Sequence, residues 1–179
     1  MPEQFPCSSV ETRFSISRFI LLVSLLLVLV FISINAINRV STQAPDVTFT
    51  TITGKKIALK DLRGKPVIVA FWATDCPACI KEIPLLIDLY TQYHKQGLEI
   101  IAVAMYYDPP NHVVTMTEEQ QLPYHVALDL KAELAHTFGD VKLIPSTFLI
   151  SPDGLIELKK IGAFDPAEMK TRIETLSLG

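Results

Sequence analysis

The chain has 179 residues, enough for one domain of ordinary size plus a short appendage, and a formal net charge of −3. No basic cluster stands out, which argues against nucleic acid as a partner, since such binding leans on a concentrated Lys/Arg surface. Three cysteines are too few for a disulfide scaffold, so their placement matters more than their number.

Residues Phe19 to Asn38 contain no charge and are mostly Leu, Val, Ile and Phe. A helix of about 20 such residues matches the roughly 30 Å hydrocarbon core of a bilayer. Being apolar all round, it lacks the polar stripe of a surface helix. Arg13 and Arg18 precede it and Arg39 closes it, which favours a cytoplasmic N-terminus. The competing reading is a cleaved signal peptide, but its best cleavage site, Ile34-Asn35-Ala36, has a bulky residue where a small one is preferred. The expected organisation is a cytoplasmic tail at 1–18, an uncleaved anchor at 19–38, a polar tether at 39–45 and a folded domain at 46–179. Cys7 then lies in the tail as a free thiol.

In the domain, Val47-Thr48-Phe49-Thr50 alternates apolar and polar as a half-buried strand does. Thr53-Gly54-Lys55 turns it back into Lys56 to Leu59, predicting an N-terminal β-hairpin. After Pro66, Val67 to Trp72 is a continuous apolar run suited to a strand buried on both faces. Ile80, Ile83, Ile87 and Tyr90 recur at helical steps between Cys79 and Lys95, and Gly97 ends that helix. Leu98 to Ala104 reads as a second buried strand, completing a βαβ unit with a right-handed crossover. A helix from Asn111 to Gln121, a strand from Tyr124 to Leu128 and a helix from Lys131 to Phe138 follow. Thr147 to Ile150 and Leu155 to Lys160 form a hairpin around the turn Ser151-Pro152-Asp153-Gly154. Asp165, Pro166 and Glu168 mark the start of a last helix. The predicted class is α/β, a mixed sheet with helices on both faces.

Cys76-Pro77-Ala78-Cys79 lies where the first buried strand passes into a helix. Two cysteines at this spacing can close a small disulfide ring. The unpaired N–H groups of a helix start favour a thiolate at Cys76. That thiolate attacks a partner's disulfide, and Cys79 resolves the mixed disulfide. A structural zinc site needs four ligands. No second cysteine pair is present, and His94, His112, His125 and His136 show no ligand spacing beside this one. Inert core thiols would sit mid-strand rather than beside Pro77. Redox chemistry is the preferred reading, with neither a metal nor a cofactor.

Phe71-Trp72-Ala73-Thr74-Asp75-Cys76-Pro77-Ala78-Cys79, with Lys81-Glu82-Ile83-Pro84 after it, resembles the active-site segment of thioredoxin-like proteins. It is most similar to the membrane-tethered TlpA/ResA/DsbE group. The likeness also takes in Ala44-Pro45-Asp46, Asp61-Leu62-Arg63-Gly64-Lys65-Pro66, Ile144-Pro145-Ser146-Thr147-Phe148-Leu149-Ile150 and Asp153-Gly154. The resemblance implies a thioredoxin-like fold and a cis bond before Pro145, packed against the cysteines. There Ile144 and Pro145 meet the substrate, whose backbone pairs in strand fashion, while Trp72 is read as a surface contact beside the site, with a plain core position as the alternative. It further implies a thiol–disulfide oxidoreductase of the bacterial inner membrane, spanning it once, with its domain on the periplasmic or extracytoplasmic side. Its partners would be exported proteins carrying disulfides and an integral-membrane thiol donor. In one branch the clients are apocytochrome c cysteines awaiting haem.

Two departures stand out. Asp75 replaces the aromatic residue that many relatives carry before the first cysteine. It is read as the N-cap of the active-site helix, and, where its carboxylate lies near Cys76, as a charge that raises that thiol's pKa. Ala70 stands where thioredoxin has a buried acid, so Glu82, three residues after Cys79 and matching a ResA-type glutamate, is the expected acid/base group. Pro84 is expected to kink the helix, and Tyr106-Tyr107-Asp108-Pro109-Pro110, after a strand's C-terminal end, reads as a structural loop, the alternative being a part in choosing the partner.

Other functions fit less well. A peroxiredoxin-type peroxidase places Thr three residues before its cysteine, within Pro-x-x-x-Thr-x-x-Cys. Thr74 is two residues before Cys76, and no Pro stands in position. A Sco-type copper chaperone wants Cys-x-x-x-Cys and a histidine in the proline loop. A strong DsbA-like oxidant is disfavoured by Asp75 and Glu82.

Overall fold

The computed structural model describes residues 20–28 and 42–177. The chain divides into two units, 1–40 and 41–179. In the first, residues 20–28 are helical with exposed apolar side chains. Among the described residues no helix is long and apolar enough to cross a membrane. The rest of the expected 19–38 anchor, and Cys7, lie outside the described residues.

The second unit is a six-stranded mixed sheet with a separate two-stranded hairpin. Its strands are β1 (Thr42–Gln43), β2 (Thr48–Thr50), β3 (Lys56–Ala58), β4 (Val67–Trp72), β5 (Glu99–Ala104), β6 (His125–Leu128), β7 (Ser146–Ile150) and β8 (Leu155–Ile161). The helices are α1 (Pro77–Tyr93), α2 (Pro110–Glu119), α3 (Glu133–Thr137) and α4 (Pro166–Ser177), with 3-10 turns at Leu59–Leu62 and His94–Gln96. The sheet order is β1-β8-β7-β4-β5-β6, and β2 pairs with β3. β4, β5 and β6 are parallel, whereas β7 runs antiparallel to β4.

The period of two in β4 builds the core. Ile68, Ala70 and Trp72 face one side, joined by Ile100, Ala102 and Ala104 of β5 and covered by Ile83, Leu86 and Leu89 of α1, Val113 of α2 and Met169 of α4. Val67, Val69 and Phe71 face the other, against Phe148, Phe138 and the hairpin's Phe49 and Ile57. Phe71, Phe138 and Phe148 meet edge to face at centroid distances of 5.1 to 5.9 Å, a preferred aromatic geometry. The two central strands therefore carry no polar side chain except Glu99, whose charge Lys65 meets at 2.9 Å at the sheet's far end.

Three expectations are corrected. Residues 42–45 do not form a free tether: Thr42 pairs with Ile156 and Gln43 with Leu155, and Ala44 is buried. These polar residues enter the sheet because β8 offers them an open edge. The helix expected from Lys131 starts at Glu133, because Ala132 is left-handed at φ 59°. The buried Asp129 carboxylate accepts from the N–H groups of Leu134 and Ala135 at 3.0 and 2.8 Å, which fixes the start there. The first helix begins at Pro77, two residues before Cys79, since proline suits the first helical position.

Candidate active site

β4 delivers the chain to the sheet's C-terminal edge, and a tight turn, Cys76 N–H to Ala73 O at 3.2 Å, feeds it into α1. Cys76 is half-buried, Cys79 is buried, and the two are joined by a disulfide with their Cα atoms 5.2 Å apart. The Cys79 N–H donates to Cys76 Sγ at 3.1 Å. Cys76 is thus the N-cap of α1, and the cap expected at Asp75 is corrected. The reason lies one residue earlier. Thr74 donates to Asp108 from its N–H and from Oγ1, both at 2.7 Å, while Asp75 is exposed. With Thr74 drawn inward, the neighbouring Asp75 side chain turns outward and the sulfur takes the capping position. α1 runs unbroken through the exposed Pro84.

Glu82 lies on the inner face of α1, only 3% exposed, and its Oε1 accepts from the Phe164 N–H at 3.0 Å. Burial pushes its carboxyl above the ordinary 4.5, against a smaller opposite pull from the Phe164 bond. Glu82 and Cys79 line one small cavity of about 10 Å³ together with Trp72, Ile83 and Tyr124. That space is about one water across. Trp72 is only 5% exposed, with Nε1 lacking a hydrogen-bond partner among the described residues. The expected surface contact at Trp72 is therefore corrected: a six-residue apolar strand buried on both faces carries its last side chain into the core, behind the disulfide.

The Ile144–Pro145 peptide bond is cis. Ser146 pairs with Phe71 of β4, so this turn and the cysteines share one edge of the sheet. Pro145 is buried and Ile144 half-buried. The Pro145 carbonyl is engaged by the Gly162 N–H at 2.8 Å. Asp108 is the residue that sequence reasoning missed: buried at 6% exposure, it ties the loop after β5 to the residue two before Cys76. Nothing local distinguishes it from any aspartate before a Pro-Pro pair. Burial pushes the Tyr107 hydroxyl up, and the charges of Asp75 and Asp108 add to the rise. Among the described residues no three His, Cys, Asp or Glu side chains gather as a metal site.

A strand–helix junction holding two sulfurs in a disulfide, one of them near solvent and a buried carboxyl behind the other, is an arrangement built for disulfide exchange. Residues 40–159 match the AhpC/TSA family. The chain belongs to that family. Over 119 residues it is 38% identical to the thiol-disulfide oxidoreductase ResA of Bacillus thuringiensis subsp. konkukian, covering 66% of this chain and 67% of that relative. It is 32% identical over 137 residues to ResA of Geobacillus thermodenitrificans, covering 76% and 78%. Its fold is similar to that of a thiol:disulfide interchange protein, a thioredoxin family protein, from Chlorobium tepidum TLS. The TM-score is 0.70 at 26% identity, over 76% of this chain and 97% of that one. The resemblance to the ResA/DsbE-like group read from the sequence holds. This AhpC/TSA family member is a thiol–disulfide oxidoreductase of thioredoxin-like fold.

Proposed function

We propose that Cys76 and Cys79 are the redox pair and that the enzyme works as a reductant of disulfides in exported proteins. The observation that carries this is the asymmetry of the pair: Cys76 half-buried at the helix start, Cys79 and Glu82 each 3% exposed behind it. In the reduced enzyme the Cys76 thiolate keeps the Cys79 N–H as a hydrogen-bond donor. It attacks one sulfur of the client's disulfide. The new bond joins Cys76 to the client, and the other client sulfur leaves as a thiolate. The Cys79 thiol then passes its proton to the Glu82 carboxylate, and the Cys79 sulfur attacks Cys76 Sγ. The bond to the client breaks, the Cys76–Cys79 disulfide forms, and the client departs with two electrons gained. Ile144 and the turn at Pro145, on the sheet edge that carries the cysteines, position the client's backbone.

The direction follows from charge. Asp75 adjoins Cys76, Asp108 holds Thr74, and Glu82 stands behind Cys79. Carboxylates near a thiol disfavour its thiolate, and a poorly stabilised reduced form gives up electrons readily. Residues 19–38 are proposed as the anchor that keeps the domain on the periplasmic or extracytoplasmic face of a bacterial inner membrane, near an integral-membrane thiol donor. Apocytochrome c cysteines are one client class that suits such a placement.

The test is a pair of variants. Cys79→Ala removes the resolving thiol, so mixed disulfides between Cys76 and clients accumulate and are identified by mass spectrometry; Cys76→Ala traps none. Equal, negligible trapping by both refutes the assignment. Peroxide consumption by the reduced enzyme that outpaces disulfide reduction points instead to a peroxidase.

A further inference from the structure

Six large apolar side chains are exposed in the described part of the second unit: Ile80, Tyr106, Tyr107, Leu130, Leu143 and Ile161. Topology puts all six at the disulfide's end of the molecule. Tyr106 and Tyr107 follow the C-terminal end of β5, and Leu130 follows that of the parallel β6. Leu143 precedes β7, whose first residue pairs with Phe71 at the end of β4, and Ile161 pairs with that same Ser146. Ile80 is on the first turn of α1, next to Cys79. The opposite end of the central strands instead presents the Lys65–Glu99 pair. Single exposed apolar residues are ordinary; their gathering around one functional group marks a contact surface.

The collar is not uniform. Between the loop after β5 and the segments flanking α3 it opens into a groove of about 500 Å³, lined by Tyr106, Tyr107, Leu130, Lys131 and Lys142 among others. Its volume suits a large apolar side chain, and its lining sets Lys131 and Lys142 against one carboxylate, Asp140. His136 and Asp140, both exposed, meet at 2.6 Å in this lining. Lys131 meets Glu133 only at 4.0 Å with both side chains exposed, a weak pairing. Lys142 has no ion pair among the described residues. Lysine thus outnumbers acid in this lining, in a chain whose net charge is −3. The groove approaches the redox site through Tyr107, whose chain neighbour Asp108 accepts two hydrogen bonds from Thr74, two residues before Cys76.

We propose that this groove docks the client's polypeptide beside its disulfide, taking a large apolar or aromatic side chain next to an acidic residue. The inference rests on the disulfide-reductant reading and supplies its specificity. The Cys76 thiolate meets any accessible disulfide, but a segment seated between Tyr106 and Leu130, with its carboxylate on Lys131 and Lys142, is held while the exchange proceeds.

The experiment uses the full chain, reduced beforehand, in single-turnover reactions with three probes. Two are synthetic peptides closed by the same Cys-x-x-Cys disulfide, one flanked by Tyr-Glu and the other by Ser-Lys. The third is the small aromatic disulfide dithionitrobenzoate, which has no flanking chain. The wild type should reduce the Tyr-Glu peptide at least about tenfold faster than the Ser-Lys peptide. Leu130→Ser should lower the ratio of the Tyr-Glu rate to the dithionitrobenzoate rate by about tenfold. Lys131→Glu with Lys142→Glu should reverse the order of a Tyr-Glu and a Tyr-Lys peptide. Equal rates for both peptides in the wild type overturn the docking proposal alone. Failure to reduce any probe overturns the reductant reading and the docking site with it. A dimer that Leu130→Ser dissociates assigns the groove to a second copy and also overturns the proposal.

Discussion

Glu82 occupies the part of the molecule least suited to a charge. Burial raises its carboxyl above 4.5, so over a window starting there the folded chain keeps a proton that the unfolded chain has released. The unfolded state then binds fewer protons, and stability falls as pH rises through that window. Glu82→Gln removes the slope: urea midpoints of variant and wild type should agree at pH 4 and separate by pH 7.5, with the variant the more stable. The same substitution should slow release of the mixed disulfide by about a hundredfold, the usual reach of a positioned base. A variant as fast as the wild type would show that Glu82 takes no proton. Asp108 does a different job. It receives two 2.7 Å bonds from Thr74, so Asp108→Ala should cost about 3 kcal/mol in urea unfolding, and Thr74→Val, which keeps the N–H bond, about 1 kcal/mol. Equal losses would mean that the backbone bond contributes nothing. The two acids were not equally legible. Glu82 is three residues from Cys79 on one helix, so its spacing, together with the resemblance to a ResA-type glutamate, points to it. Asp108 meets Thr74 across 34 residues, and only the parallel pairing of β4 with β5 brings their loops together.

β4 and α1 show themselves in the sequence because each is determined locally, by an apolar run in one case and by helical periodicity in the other. β1 does not: two exposed polar residues become a strand only where β8 offers them a partner. The start of α3 was hidden for the same reason, since the Asp129 carboxylate that sets it acts from outside the helix. The turn between β7 and β8 links such local and distant determinants. Gly154 has φ +82°, and its carbonyl accepts from the Ala44 N–H at 2.9 Å and from Gln43 Nε2 at 3.1 Å, tying β1 to the sheet. A Cβ at Gly154 would collide with the Arg63 guanidinium. The guanidinium ends a flexible side chain and can swing aside, so Gly154→Ala should destabilise by about 1–2 kcal/mol, the cost of the left-handed backbone. Adding Arg63→Ala should recover little of that cost. Full recovery in the double variant, read from urea midpoints, would show that the glycine's conformation is not what the turn requires.

The molecule as a whole is organised by one edge of its sheet. The parallel strands end there, α1 begins there, the turn at Pro145 returns there, and the exposed apolar side chains of the second unit gather there. A disulfide placed at that edge is open to another protein, while Cys79 shares a small cavity with a buried acid, Glu82. The proposed reducing direction rests on the carboxylates around the pair, which disfavour the thiolate that a strong oxidant stabilises. The most direct measurement is the equilibrium potential of the Cys76–Cys79 pair, obtained by titrating the protein in thiol/disulfide buffers and reading the alkylated fraction by mass. The account predicts one two-electron transition on the reducing side, nearer about −270 mV than about −120 mV. A potential close to about −120 mV, or a pair that does not titrate as a unit, contradicts it.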